Sequence, residues 1–156
     1  KPIRENAMAR HIVPDVVSKQ DLSSLSPKDT VLAAAKLMTS RKIGALLILE
    51  GEELVGILSE RDIAGRLVAE EKSPGATLIG EIMTPKPETV GPKASVMEAL
   101  QRMQEGGFRH LPVEEAGKII GMVSIRDIYA AVREDLEEAV LEREAFISGS
   151  GMAGLP

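Results

Sequence analysis

The sequence contains no cysteine, and only two of its 156 residues are histidine, His11 and His110. The absence of cysteine excludes disulfide bonds, thiolate nucleophiles and thiolate metal sites together. With so few histidines and no acidic cluster at ligand spacing, we also expect no metal site. A chain without cysteine suits the reducing cytosol, so we expect a cytoplasmic protein.

The chain also lacks an excess of positive charge and any long apolar run. Its net charge is −5 and its pI is near 5.2, which opposes binding to a nucleic-acid phosphate backbone. The longest apolar runs, such as Ala45 to Leu49, are far shorter than the roughly 20 residues that cross a bilayer. We therefore expect no nucleic acid and no membrane among its partners, and no signal peptide.

An internal repeat organises what is present. A shift of 65 residues, from Pro27 to Pro92, superposes two halves of the chain without a gap. SPKDTVLAAAKLM at residues 26–38 falls on GPKASVMEALQRM at 91–103, and VGILSERDI at 55–63 falls on IGMVSIRDI at 120–128. The chain is therefore predicted to contain two copies of one structural unit.

Each copy has the same predicted order of elements, β-α-β-β-α, which makes the fold class α+β. Apolar residues recur at helical spacing from Val31 to Met38 and again from Val96 to Met103. Two apolar runs separated by a turn signal then predict a hairpin in each copy, and a second helix follows. The predicted hairpin strands are residues 45–49 and 54–58 in the first copy, and 111–113 and 119–123 in the second.

The predicted domain boundaries follow from the repeat. They are residues 12–70 for the first copy, 71–78 for a linker, 79–135 for the second copy, 136–147 for a C-terminal helix extension and 148–156 for a flexible tail. The extension carries an apolar stripe that either packs on its own domain or contacts a second copy in a dimer.

The repeated pattern resembles the CBS domain pair, also called a Bateman module. The resemblance rests on the Met83-Thr84 entry, on FRHLPV at residues 108–113, and on Gly-x-x-Ser-x-x-Asp at residues 56–62 and 121–127. It implies two CBS repeats packed about a pseudo-twofold axis, with two clefts between them. It also implies an adenosine-containing ligand (AMP, ADP, ATP, NAD(H) or S-adenosylmethionine), and a homodimer.

The family pattern implies that each cleft takes residues from both copies. The first cleft would combine Ser18, Ser23, Ile43, Gly44, Ala45, Ser124, Arg126 and Asp127. The second would combine Thr84, Phe108, Arg109, His110, Ser59, Arg61 and Asp62. Because the second contains Arg109 and His110, we expect phosphate-rich ligands to prefer it.

Asp62 and Asp127 are the candidates for binding ribose, because a carboxylate accepts hydrogen bonds from both vicinal hydroxyls. Ser59 and Ser124 stand where a strand turns into a helix, a position that can receive phosphate. Ser-x-x-Asp is also a helix-capping pattern, which would explain the same residues without a ligand. Gly56 likewise leaves two explanations open, the approach of a ligand or tight strand packing.

Three functions compete. The first is a regulatory, non-catalytic module that senses energy or redox state by binding an adenosine nucleotide and signals to an unknown protein partner by a conformational or oligomeric change. The second is an enzyme acting on a nucleotide, which no nucleophile-base pair, metal cluster or phosphate loop supports. The third is an assembly module with vestigial clefts, or a regulatory fragment of a larger enzyme or transporter.

Overall fold

The computed structural model describes residues 10–16 and 22–153. The helices are α1 (Val31–Arg41), α2 (Glu60–Asp62), α3 (Ile79–Ile82), α4 (Val96–Gly106) and α5 (Ile125–Ala153). The strands are β1 (Ser24–Leu25), β2 (Ala45–Glu50), β3 (Glu53–Ser59), β4 (Thr84–Pro85), β5 (His110–Glu115) and β6 (Lys118–Ser124). A π-helical turn spans Ile63–Val68 and continues α2 directly. The segment Ile12–Val16 is kinked, with extended backbone at Val13. The predicted α+β class and both hairpins are confirmed.

The first helix of each repeat begins at a hydroxyl cap. The Thr30 side chain accepts a hydrogen bond from the Ala33 amide at 3.1 Å, and the Ser95 side chain accepts one from the Glu98 amide at 3.1 Å. Each cap satisfies an amide that the first helical turn leaves without a partner. The first repeat is therefore capped at Thr30.

Two sheets carry the hairpins. Strands β1 to β4 form one sheet in the order β1-β2-β3-β4, and β5 and β6 form the other. Both hairpins are antiparallel, and each has an irregularity in register at the equivalent place, after Ile48 and after Val113. The hairpins are thus repeated in detail and not only in outline.

Gly56 is explained by strand packing. It pairs with Pro85 of β4, and a Cβ atom at Gly56 would collide with Met83 Sδ and lie 3.1 Å from the Thr84 carbonyl oxygen. Glycine is therefore required because β4 passes close to β3.

The first residues of each repeat pack in the hydrophobic core of the other repeat. Ile12 is fully buried in the core of the second repeat, where its amide donates to the Ala94 carbonyl at 2.9 Å. Ile79 and Ile82 are buried in the core of the first repeat, and the Val31 amide donates to the Thr77 carbonyl at 2.9 Å. Each packing unit is therefore completed by a segment from elsewhere in the chain.

The C-terminal helix is longer than the sequence suggested. Helix α5 continues to Ala153 and so enters the segment 148–156 that was predicted to be a flexible tail. The segment is rich in glycine, but a glycine inside a helix costs only about 1 kcal/mol relative to alanine and can be tolerated.

Candidate functional site

The strand-to-helix turns at Ser59 and Ser124 are built alike. Asp62 Oδ2 accepts from the Ser59 amide at 2.9 Å and from its hydroxyl at 3.1 Å. Asp127 Oδ2 accepts from the Ser124 amide at 2.8 Å and from its hydroxyl at 2.9 Å. The capping explanation thus accounts for one oxygen of each carboxylate, and the second oxygen decides what else each can do.

The second oxygen of Asp62 is occupied. Asp62 Oδ1 accepts a hydrogen bond from Thr84 Oγ1 at 3.1 Å and lies 4.0 Å from Arg66 Nε. Arg66 also donates to the carbonyl oxygens of Ile82 and Met83 at 3.2 and 3.0 Å. Asp62 is only 8% exposed. Asp62 therefore links α2 directly to Thr84 of β4 and, through Arg66, to the end of α3.

The second oxygen of Asp127 is open. No residue that the structure describes donates a hydrogen bond to Asp127 Oδ1, and the side chain is only half-buried. The position equivalent to Arg66 is Ala131, which is buried and carries no charge. The two copies of the same motif are thus unequal. Of the two aspartates, only Asp127 has a carboxylate oxygen that accepts no hydrogen bond from the described residues.

Asp127 lies on the wall of a cavity of about 1150 Å³ between the two repeats, called here the inter-repeat cavity. This volume slightly exceeds the roughly 300–1,000 Å³ of common small-molecule sites. The predicted first-cleft residues that line it are Ser23, Ile43, Gly44, Ala45, Ser124, Arg126 and Asp127. Ser18, the remaining one, lies outside the described residues. The structure therefore brings this predicted set together.

The predicted second-cleft residues are divided between the inter-repeat cavity and contacts within the protein. Arg109 and His110 line the inter-repeat cavity. Thr84 is bonded to Asp62, and Arg61 donates to the Gly107 carbonyl oxygen at 3.2 Å. The Asp62 acceptor and an Arg61 donor that the sequence assigned to a ligand are thus engaged within the protein.

The inter-repeat cavity contains charges of both signs. Lys42, Arg109 and Arg126 supply cations, and Glu60 and Asp127 supply carboxylates. Sequence reasoning missed Lys42 and Glu60, because neither is matched in the second copy, where Gly107 and Ile125 stand at the equivalent positions. Glu60 follows the cap Ser59 directly, so its position at a helix start was the one available signal.

His110 lies between the two repeats. Its Cε1 atom would be 3.7 Å from a Cβ placed on Gly44, and Glu60 Oε2 would be 3.5 Å from the same position. Burial lowers the pKa of His110, the Asp127 and Glu60 carboxylates oppose this shift, and Arg109 adds to it. The imidazole is therefore held towards its neutral form.

The described part of the chain contains no group of three or more histidine, cysteine, aspartate or glutamate side chains that could hold a metal ion. None of its helices is long and apolar enough to cross a membrane.

Known proteins share this arrangement. The CBS domain family model matches the chain twice, at residues 8–69 and 79–134. The mitochondrial CBS domain-containing protein CBSX3 of Arabidopsis thaliana is 37% identical over 126 residues, which cover 78% of this chain and 61% of that protein. The chain thus spans less than two thirds of that relative's length. Because this relative is mitochondrial, the comparison does not single out the cytosol.

Solved structures of CBS domain proteins are also similar to this chain. A protein with CBS domains from Burkholderia ambifaria has a TM-score of 0.70 and 41% identity, covering 73% of this chain and 83% of its own. A CBS domain protein from Pyrobaculum aerophilum, complexed with AMP, has a TM-score of 0.65 and 25% identity, covering 74% of this chain and 94% of its own. With its two repeats, two hairpins and two family matches, the chain belongs to the CBS domain family and carries two CBS domains in tandem.

Proposed function

We propose that the protein is a regulatory module that binds one adenosine nucleotide (AMP, ADP, ATP or NAD(H)) in the inter-repeat cavity. The observation that carries this proposal is the open acceptor oxygen of Asp127 on a wall that also holds three cationic side chains. The AMP complex of the Pyrobaculum aerophilum relative supports the choice of ligand class. The proposal gives no side chain a catalytic role.

The ribose is assigned to Asp127. Its Oδ2 is committed to the Ser124 cap, which fixes the carboxylate in place, while Oδ1 remains available to hydroxyl donors. A hydrogen bond to a charged acceptor contributes about 1.5–3 kcal/mol, more than a neutral one. Asp127 is therefore expected to provide much of the preference for a sugar with free hydroxyls.

The phosphate is assigned to the cationic part of the same wall. Arg109 and Arg126 come from the second repeat and Lys42 from the first. Arginine offers a planar set of donors that matches phosphate oxygens, and lysine adds a mobile point charge. Helix α5 begins beside Arg126, so the positive end of its dipole favours an anion at the same place.

The base is assigned to the apolar part of the wall. Ala35, Met38 and Leu47 line the cavity from the first repeat, and Ile63 adds a further apolar surface. A flat aromatic ring gains free energy by covering such side chains, and a methionine adapts readily to its shape.

The regulatory part of the proposal follows from the position of the cavity between repeats. A ligand that contacts Gly44 on one repeat and Asp127 on the other stabilises the arrangement in which both contacts exist. Binding shifts a conformational equilibrium only to the extent that the ligand prefers one state. The downstream signal therefore depends on how the two repeats are oriented.

Thermal denaturation against AMP, ADP, ATP, NAD+, NADH and S-adenosylmethionine tests the proposal. A ligand at 100 times its Kd stabilises the folded state by about 2.7 kcal/mol, which corresponds to a rise in Tm of roughly 5–10 °C for a domain of this size. Asp127→Asn should weaken binding roughly ten- to a hundredfold. Asp62→Asn is the matched control and should leave affinity within about twofold, because that carboxylate faces Thr84 and Arg66. If no adenosine compound binds below about millimolar, the proposal fails.

A second proposal concerns assembly, because part of α5 is apolar and uncovered. Leu136, Val140 and Leu141 are 63%, 55% and 64% exposed, and with Arg133 and Glu137 they line a groove on the helix. We propose that this groove receives the same helix of a second copy, running antiparallel, so that the chain forms a homodimer. Centring the pair on Val140 places Glu137 opposite Arg143 of the second copy, so that opposite charges meet twice.

Analytical ultracentrifugation tests this assembly. Leu136→Lys should convert a dimer to a monomer at micromolar concentration, because a charge would replace a buried apolar contact. The control Ala139→Lys adds the same single positive charge at an exposed position on the side of the helix away from Val140 and Leu141, and should leave the dimer intact. A wild-type monomer at 100 µM would rule out this dimer.

A further inference from the structure

His110 is placed to respond to a ligand in the inter-repeat cavity. The side chain comes from the first residue of β5, lines the cavity, and faces Glu60 across Gly44. Residue 110 pairs with Ser124 of β6, the residue that caps α5 and holds Asp127. The imidazole therefore lies between carboxylates contributed by both repeats.

The elements that line the cavity with His110 contribute charged side chains. Helix α2 contributes Glu60, α5 contributes Asp127 and Arg126, the residue before β5 is Arg109, and Lys42 lies at the end of α1. Among these side chains only an imidazole ordinarily changes its charge between pH 5 and 8. Burial outweighs the two carboxylates and lowers the pKa of His110, so the ring is largely neutral at pH 7 before a ligand arrives.

We propose that His110 takes up a proton when a nucleotide phosphate enters the inter-repeat cavity, so that ligand binding is coupled to pH. This inference rests on the proposed function, since it requires a phosphate in the cavity. The phosphate replaces solvent next to the ring with an anion, which favours the imidazolium form. The proton comes from a solvent or buffer acid, which loses it as the second imidazole nitrogen gains an N–H bond, and no other bond forms or breaks.

The direction of the coupling follows from the order of the two pKa values. His110 has a low pKa in the empty cavity and a higher pKa beside a phosphate, so the complex binds more protons than the free protein between these values. Affinity for AMP therefore rises as pH falls through this window, by up to tenfold per pH unit. Below the pKa of the free protein the gain stops, because His110 is then protonated in both states.

Isothermal titration of the full chain with AMP measures the coupling. Titrations at pH 6, 7 and 8, in buffers with different ionisation enthalpies, give the number of protons taken up per AMP bound. The variant His110→Gln keeps a hydrogen-bond donor and acceptor but does not titrate. Because the AMP phosphate itself titrates near pH 6, the difference between wild type and variant isolates the contribution of the imidazole.

Near pH 7, the binding of one AMP should be accompanied by the uptake of as much as one more proton in wild type than in His110→Gln. Between pH 8 and pH 6, the affinity of wild type for AMP should rise about three- to tenfold more than that of the variant. Adenosine, which has no phosphate, should show no such difference between the two proteins. Equal proton uptake with AMP would overturn the coupling and leave the proposed function standing. If AMP binds to neither protein, both proposals fall.

A second measurement does not depend on the variant folding. The chain has only two histidines, His11 and His110, so an NMR titration resolves the His110 signal. AMP should raise the pKa of His110 by about one unit or more. An unchanged pKa of His110 in the AMP complex would overturn the inference.

Discussion

Replacing each of the two repeated aspartates by alanine should separate a structural carboxylate from a ligand-binding one. Asp62→Ala removes the hydrogen bonds from Ser59 and also the partners of Thr84 and Arg66. Asp127→Ala removes the equivalent bonds from Ser124 and no other hydrogen bond or ion pair within residues 10–16 and 22–153. The two substitutions are chemically identical, so each is the control for the other.

The magnitudes follow from these bonds. Loss of a helix cap costs about 1 kcal/mol, which is the whole expected effect of Asp127→Ala on the free energy of unfolding. In Asp62→Ala the half-buried Thr84 hydroxyl also loses its charged acceptor, which adds about 1–2 kcal/mol and brings the loss to about 2–3 kcal/mol. The order should reverse for AMP affinity, which falls for Asp127→Ala and stays nearly constant for Asp62→Ala.

Urea denaturation at pH 7 without ligand measures the two free energies of unfolding, and calorimetry with AMP measures the two affinities. Equal losses of stability would mean that the Thr84 and Arg66 contacts contribute nothing. A greater loss for Asp127→Ala would contradict the assignment of the two carboxylates outright.

Three other substitutions probe separate parts of the structure. Gly56→Ala should lower the free energy of unfolding by about 1–3 kcal/mol, because its methyl group meets Met83 and the β4 backbone; a loss below 0.5 kcal/mol by urea denaturation would show that β4 shifts freely. Ala116→Gly should raise the free energy of unfolding by about 0.5–1 kcal/mol, because Ala116 has a φ of 51° in the β5–β6 turn and glycine adopts this left-handed conformation without strain. A lower free energy of unfolding in the same assay would contradict this. Glu60→Gln removes a negative charge that opposes the burial shift, so the pKa of His110 should fall further in an NMR titration; a rise would show that Glu60 does not act on the ring through its charge.

Much of the fold was predictable because the repeat doubles every local signal. The hairpins were visible as paired apolar runs around turn residues, and the Ser-x-x-Asp caps were visible as a spacing. The exchange of Ile12 and Ile79 between cores was not visible, because the sequence shift aligns segments without showing which partner each one packs against. Such a choice depends on tertiary contacts and not on local preference.

The candidate site, like the fold, was predictable from the sequence only in part. The residues of the first cleft were identified together, since they follow from the family pattern. The inequality of the two clefts depends on contacts between residues far apart in sequence, Arg66 with the end of α3 and Thr84 with Asp62. A carboxylate that is satisfied and one that is open look identical in the sequence, because the difference lies in their donors.

The central claim is that one adenosine nucleotide binds in the inter-repeat cavity through Asp127. Calorimetric titration with AMP tests it most directly, because one experiment gives both stoichiometry and affinity. The account predicts one AMP per chain in wild type and in Asp62→Asn, and at least tenfold weaker binding in Asp127→Asn. Two AMP molecules per chain, or binding that is unchanged in Asp127→Asn, would contradict it.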